Sequence, residues 1–128
     1  MMRLAGNKRQ EGSSMGRYLK FDYLFEDKVC STITVDRETR EVKVENFTDN
    51  ILMQFLGKNE PTIENVLKFM RYRCFPEERQ DVKILLRMLG VSTYSPLDIC
   101  LKTHGRLTCD HFWIRFDGEK LTWNDLKC

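Results

Sequence analysis

One switch of period divides this chain. From Tyr18 to Phe47 apolar and polar residues alternate, and from Thr62 to Leu89 apolar residues recur three and four positions apart. Alternation marks a strand with one buried face, and the three-four spacing marks a helix with one buried stripe. Leu19, Phe21, Tyr23 and Phe25 fall on one side of a first strand, opposite Lys20 and Asp22. Residues 30–35 and 41–47 alternate likewise across the polar loop 36–40, with Ile33, Val35, Val42 and Val44 as the inward set. The expected result is a three-stranded antiparallel meander.

The middle of the chain predicts helices. Asp49 is placed to cap a short turn carrying Ile51, Leu52 and Phe55, ended by Gly57. Thr62 opens a helix with the stripe Ile63, Val66, Leu67 and Met70. Pro76 is expected at the first turn of the next helix, with Glu77 and Glu78 at its positive end, the stripe Val82, Leu85, Leu86 and Leu89, and Gly90 as its stop. These two should form a helical hairpin on the sheet. A shorter helix follows, with Ser95 as N-cap, Pro96 in first position, Gly105 past its end and Leu97, Cys100, Leu101 and His104 turned inward. Asp117-Gly118 is a hairpin turn, so residues 112–123 are expected to close on themselves as a β-hairpin. In that ribbon Trp123 faces the core, and Trp113 lies on the opposite face. The fold class is α+β.

At 128 residues the chain is read as one domain spanning 17–128, after a polar, glycine- and serine-bearing tail at 1–16 that is expected to be disordered and in which Met15 can serve as a start. Arg3, Lys8 and Arg9 against Glu11 account for the whole net charge of +2, leaving the domain neutral. A neutral body argues against direct nucleic-acid binding, which is made through a basic face. No apolar run approaches the roughly 20 residues of a membrane span, and the first residues lack a secretory signal. Five cysteines, an odd number, fit a reducing compartment, so a cytoplasmic protein without a disulfide framework is expected.

Chemistry concentrates near the C-terminal end. Cys100, His104, Cys109 and His111 place two thiols and both histidines of the chain within twelve residues. Positions i and i+4 on a helix, and i and i+2 on a strand, share a face, so each pair projects together. Closed over the linker 105–108, the four can hold a structural zinc ion, with Cys74 or Cys30 as a substitute ligand. Ordinary packing of Cys100 and a dipole contact for His104 are the competing reading. A thiol nucleophile lacks any legible orienting group, and phosphate-loop, dinucleotide and nucleophile-elbow motifs are absent, so no catalytic residue is assigned. Arg79, Lys83 and Arg87 at i, i+4 and i+8 predict a basic ridge, either solvated or a contact for an acidic partner, and Trp113 is added as a partner contact.

Five blocks carry a family likeness: 45–50 (ENFTDN), 73–76 (RCFP), 94–98 (YSPLD), 102–106 (KTHGR) and 113–116 (WIRF). Over residues 18–126 they resemble small proteins carried on conjugative elements and prophages of Gram-positive bacteria. That resemblance implies a non-enzymatic inhibitor of host defence, in its sharpest form an anti-CRISPR protein that binds the RNA-guided nuclease of a type II system. Residues 113–123 also resemble a segment near the start of HipA-like kinases, which implies an accessory, antitoxin-like role; a small thiol-dependent hydrolase is the remaining alternative. Within the family pattern Cys74 fits better than Cys100, Cys109 or His111, so a metal site would be particular to this chain.

Overall fold

The computed structural model describes residues 17–126; the tail expected at 1–16 lies outside the described residues. Strands β1 (Tyr18–Phe25), β2 (Lys28–Asp36) and β3 (Val42–Asn46) form the meander in the register the alternation requires, with Ile33 opposite Val44 and Val35 opposite Val42. Between Tyr23 and Leu24 the pairing slips by one residue, which turns Cys30 into the core beside Ser31. Ser31 is buried but satisfied: its hydroxyl donates to Asn46 Oδ1 at 2.6 Å and accepts from the Phe55 amide at 3.1 Å.

Helices α1 (Ile63–Tyr72), α2 (Val82–Leu89) and α3 (Pro96–Thr103) cover one face of the sheet. Thr62 and Ser95 cap α1 and α3 as their sequences demand, each side chain accepting from an amide three residues on. Gly90 ends α2 in the left-handed conformation. Three expectations fail here. Pro76 does not begin α2, because residues 76–81 form turns and the helix starts at Val82 after Asp81. The expected helical hairpin gives way to a different packing, in which α3 is the main neighbour of α1 and also touches α2. The short turn at Ile51–Met53 is capped by Asn50 rather than Asp49, and it leaves Ile51 and Leu52 exposed while Phe55 enters the core.

The larger correction concerns the C-terminal end. Residues 112–116 form β4 (Phe112–Phe116), which pairs antiparallel with β1 and completes a sheet of order β3-β2-β1-β4. The Asp117-Gly118 turn forms, but no returning strand follows it. Glu119 satisfies the Phe116 amide with its carboxylate at 2.8 Å, occupying the donor a partner strand would use. Thr122 and Asp125 then cap a four-residue helix, α4 (Trp123–Leu126). The α+β class stands; the C-terminal hairpin is replaced by a sheet-edge strand and a helical turn.

Among the described residues no helix is long and apolar enough to cross a membrane.

Candidate functional site

The four side chains expected to share a zinc ion are sent to different places. Cys100 is fully buried between α1 and α3. His104 ends α3 in the left-handed conformation, and its Nε2 lies 2.9 Å from Glu119 Oε2. Cys109 is exposed. His111, also exposed, places Nδ1 2.8 Å from Glu26 Oε2 and its ring between Phe25 and Trp123. Among the described residues no three Cys, His, Asp or Glu side chains are grouped to hold a metal ion, and the substitutes Cys74 and Cys30 do not complete such a group. The physical reason is local. Residues 105–111 are not a strand laid over the helix end; they curl around the guanidinium of Arg73.

Arg73 is the residue that periodicity missed. It follows α1 directly and its side chain is only 7% exposed. Its Nε donates to the Gly105 carbonyl at 2.9 Å, Nη2 donates to the Phe112 carbonyl at 2.9 Å, and both terminal nitrogens grip the Asp110 carboxylate at 2.8 Å. Such a planar fork fits a carboxylate in a way lysine cannot. Arg106 closes the same loop by donating to the Asp110 carbonyl at 2.6 Å. Arg73's hydrogen bonds hold the Asp110 carboxyl below its ordinary range, against the opposing effect of burial. Burial works against the Arg73 charge, yet the paired carboxylate outweighs it and the guanidinium stays firmly protonated. Gly105 is needed at this crossing: φ is +62°, and an added Cβ would meet Ile114 Cδ1 at 3.1 Å and Arg73 Cβ at 3.3 Å.

One residue along, Cys74 turns its thiol toward Cys100, with the sulfurs 3.8 Å apart. Both thiols also face the Met70 carbonyl, at 3.1 Å from Cys74 and 3.6 Å from Cys100. The Cys100 contact favours a thiolate on Cys74 over one on Cys100, where the neighbouring sulfur and burial both push the thiol up. Cys74 borders a surface groove of about 480 Å³ that Lys68, Arg71, Tyr72 and Tyr94 also line. Among the described residues no thiol bonds to an imidazole, so a cysteine–histidine pair of the kind a thiol hydrolase needs is not assembled.

The two tryptophans exchange the roles expected of them. Trp113, expected on an open face, is completely buried beside its cross-strand neighbour Leu24, and its Nε1 donates to the Glu26 carbonyl at 2.6 Å. The C-terminal segment crosses this outer face: Arg115 donates to the Leu121 carbonyl at 3.3 Å, and the Trp123 amide to Asp27 Oδ1 at 2.8 Å. Trp123, expected in the core, is half-buried instead, with the Arg106 guanidinium 4.6 Å from its ring centre.

Of the basic ridge, Lys83 and Arg87 stand exposed on α2, while Arg79 lies ahead of the helix and pairs with Asp81 at 2.6 Å. Arg79 therefore does not extend the row. On the same helix Ile84 and Met88 are also exposed, 56% and 77% respectively, one turn apart. No protein-family model, curated protein or solved structure matches this chain.

Proposed function

We propose that this chain is a non-enzymatic protein-binding inhibitor of the anti-CRISPR kind, which occupies an RNA-guided nuclease and blocks its use of DNA. The observation supporting a binding role is the outer face of α2. Single exposed apolar residues need no explanation. Here Ile84 and Met88 form one row at i and i+4, and Lys83 and Arg87 form a parallel row beside it, with no ion pair to either cation among the described residues. Methionine and arginine are enriched in interface centres, the first because it adapts its shape, the second because it anchors carboxylates. Such a strip suits a partner that offers an apolar recess edged with acidic groups.

Size bounds the claim. A standard interface takes about 800 Å² from each side. Eight helical residues rise only about 12 Å, so α2 supplies the centre of the contact and neighbouring segments its rim. The choice of a nuclease rests on the resemblance of residues 18–126 to small proteins of conjugative elements and prophages, and a partner of that kind goes with a cytoplasmic role. This reading does not call on zinc: Cys100, His104 and His111 each engage a different neighbour, and Cys109 stands exposed.

The experiment titrates the purified chain into a type II nuclease loaded with guide RNA and reads cleavage of target DNA. Cleavage should fall as the chain reaches equivalence, and the two proteins should co-elute. Full cleavage with separate elution removes the nuclease. Recovery of a HipA-like kinase from host lysate would favour the accessory role, and turnover of an ester lost on Cys109→Ala or Cys100→Ala with the fold intact would favour the hydrolase.

A further inference from the structure

Among the described residues, Cys74 and Cys100 are a pair of facing nucleophiles that the binding role does not use. Cys74 and Cys100 come from different elements, the first just past α1 and the second within α3, and their sulfurs are 3.8 Å apart. Their exposures differ: Cys74 is 8% exposed and Cys100 not at all. Cys74 alone of the two borders the groove, whose wall also carries Lys68, Arg71 and Glu78. Arg71 is shared with Glu77 at 3.1 Å and Glu78 at 3.6 Å, so Lys68 is the wall's less encumbered cation. A thiol that reaches a groove beside cationic side chains is the more reactive kind, while one enclosed on every side, as Cys100 is, is inert.

We propose that Cys74 and Cys100 are a redox-active dithiol, in which a small hydroperoxide entering the groove oxidises Cys74 and Cys100 closes the product to a disulfide. In the first step the Cys74 thiolate attacks one peroxide oxygen. An S–O bond forms, the O–O bond breaks, and the leaving alkoxide or hydroxide takes a proton to become an alcohol or water. Cys74 is then a sulfenic acid, oxidised by two electrons, and the peroxide has been reduced by two. In the second step the Cys100 sulfur attacks the Cys74 sulfur; the S–S bond forms, the S–O bond breaks, and the departing hydroxide leaves as water with the Cys100 proton. A disulfide bond is about 2.05 Å long, so from 3.8 Å the sulfurs must approach by a little under 2 Å. The product ties the end of α1 to α3 next to Arg73. In a reducing compartment such a bond is transient, which suits a sensor rather than a structural staple.

The test uses the full chain carrying Cys109→Ser and Cys128→Ser, so that thiols outside the pair do not cross-link molecules. It is treated with hydrogen peroxide at equivalence and digested without reductant. A cross-linked peptide pair containing Cys74 and Cys100, lost on adding dithiothreitol, is the expected product. Adding Cys100→Ser should leave a Cys74 sulfenic acid that dimedone traps, and adding Cys74→Ser should leave Cys100 unmodified at the same dose. Should Cys100→Ser fail to fold, the peptide map of the parent protein decides alone. Reduced Cys74 and Cys100 under conditions that oxidise other side chains of the chain would overturn the proposal, as would dimedone labelling of Cys100 ahead of Cys74.

Discussion

Arg73 and Asp110 meet in a two-pronged ion pair, each guanidinium nitrogen 2.8 Å from its own carboxylate oxygen, and this pair fixes the loop that joins the helices to the last strand. Thirty-seven residues separate the partners in sequence. Arg73→Met removes the charge and also strips the Gly105 and Phe112 carbonyls of a donor. It should cost about 3 kcal/mol, near the lower end for breaking a buried pair because Asp110 is 29% exposed. Arg73→Lys should recover less than half of that, since an ammonium cannot serve both carboxylate oxygens and two carbonyls. Urea midpoints at constant slope measure both. Equal stability of wild type and Arg73→Met would show that the loop is held by something else.

The same pair predicts an acid limb. Asp110 titrates below its ordinary value of 3.8 in the folded chain, first because Arg73 donates to it. The unfolded chain therefore takes up the proton more readily, so the stabilisation is complete above about pH 4 and is lost as pH falls through the folded-state value. Asp110→Asn should flatten this fall. It should not abolish it, because Asp36 beside Arg17 and Glu64 near Arg40 are shifted in the same direction at the surface. Melting temperatures followed from pH 6 down to pH 2 give the comparison; parallel curves would contradict it.

Two glycines with positive φ separate backbone strain from crowding. Gly90 has φ +76° and open space around it, so Gly90→Ala should cost about 1 kcal/mol of left-handed strain. Gly105 has φ +62° and two side-chain carbons within 3.3 Å of an added Cβ, so Gly105→Ala should cost about 3 kcal/mol, strain and overpacking together. Thermal denaturation of the two variants side by side should show the gap, and closely matched losses would mean that the crossing at Arg73 is loose.

Trp113→Ala should cost about 3–5 kcal/mol, the range for a large buried aromatic, and it also strands the Glu26 carbonyl. Trp123→Ala should cost about 1 kcal/mol, mainly its contact with Arg106. Denaturant titration decides between this order and its reverse, which would restore the pattern expected of a C-terminal hairpin.

How much of this was legible depended on distance along the chain. The meander and its register followed from alternation, because a strand with one buried face admits only one pairing that keeps Ile33 with Val44 and Val35 with Val42 on the same side. The caps Thr62 and Ser95 were readable because capping is a three-residue affair. A strand at 112–116 was readable as one arm of the expected hairpin, but its partner was not, since the choice of β1 over the residues after Gly118 is a tertiary decision. The decisive side chain, Glu119 on the Phe116 amide, carries no periodic mark, although Thr122 and Asp125 do spell a helix cap that argued against a returning strand. The cysteine–histidine cluster was close in sequence and dispersed in space for the same reason: Arg73 draws residues 105–112 around itself. An arginine between a helix and a proline gives no sequence sign that it will be buried.

Dispersal makes a prediction of its own. Cys109→Ser and His111→Gln should each change stability by no more than about 1 kcal/mol, the scale of exposed side chains and pairs. Chelator should leave the unfolding transition in place. A structural zinc would instead make either substitution, or chelation, unfold the chain. Elemental analysis of protein purified without a histidine tag should find well under one zinc per chain.

The proposed contact through the exposed side of α2 is read from affinity for the type II nuclease after substitution on that helix. Met88→Asp with Arg87→Glu alters two exposed positions, so the melting temperature should hold within a few degrees while Kd rises at least about 100-fold, the loss expected of an interface hot spot. An unchanged Kd in a folded double variant would place the contact elsewhere and contradict the account.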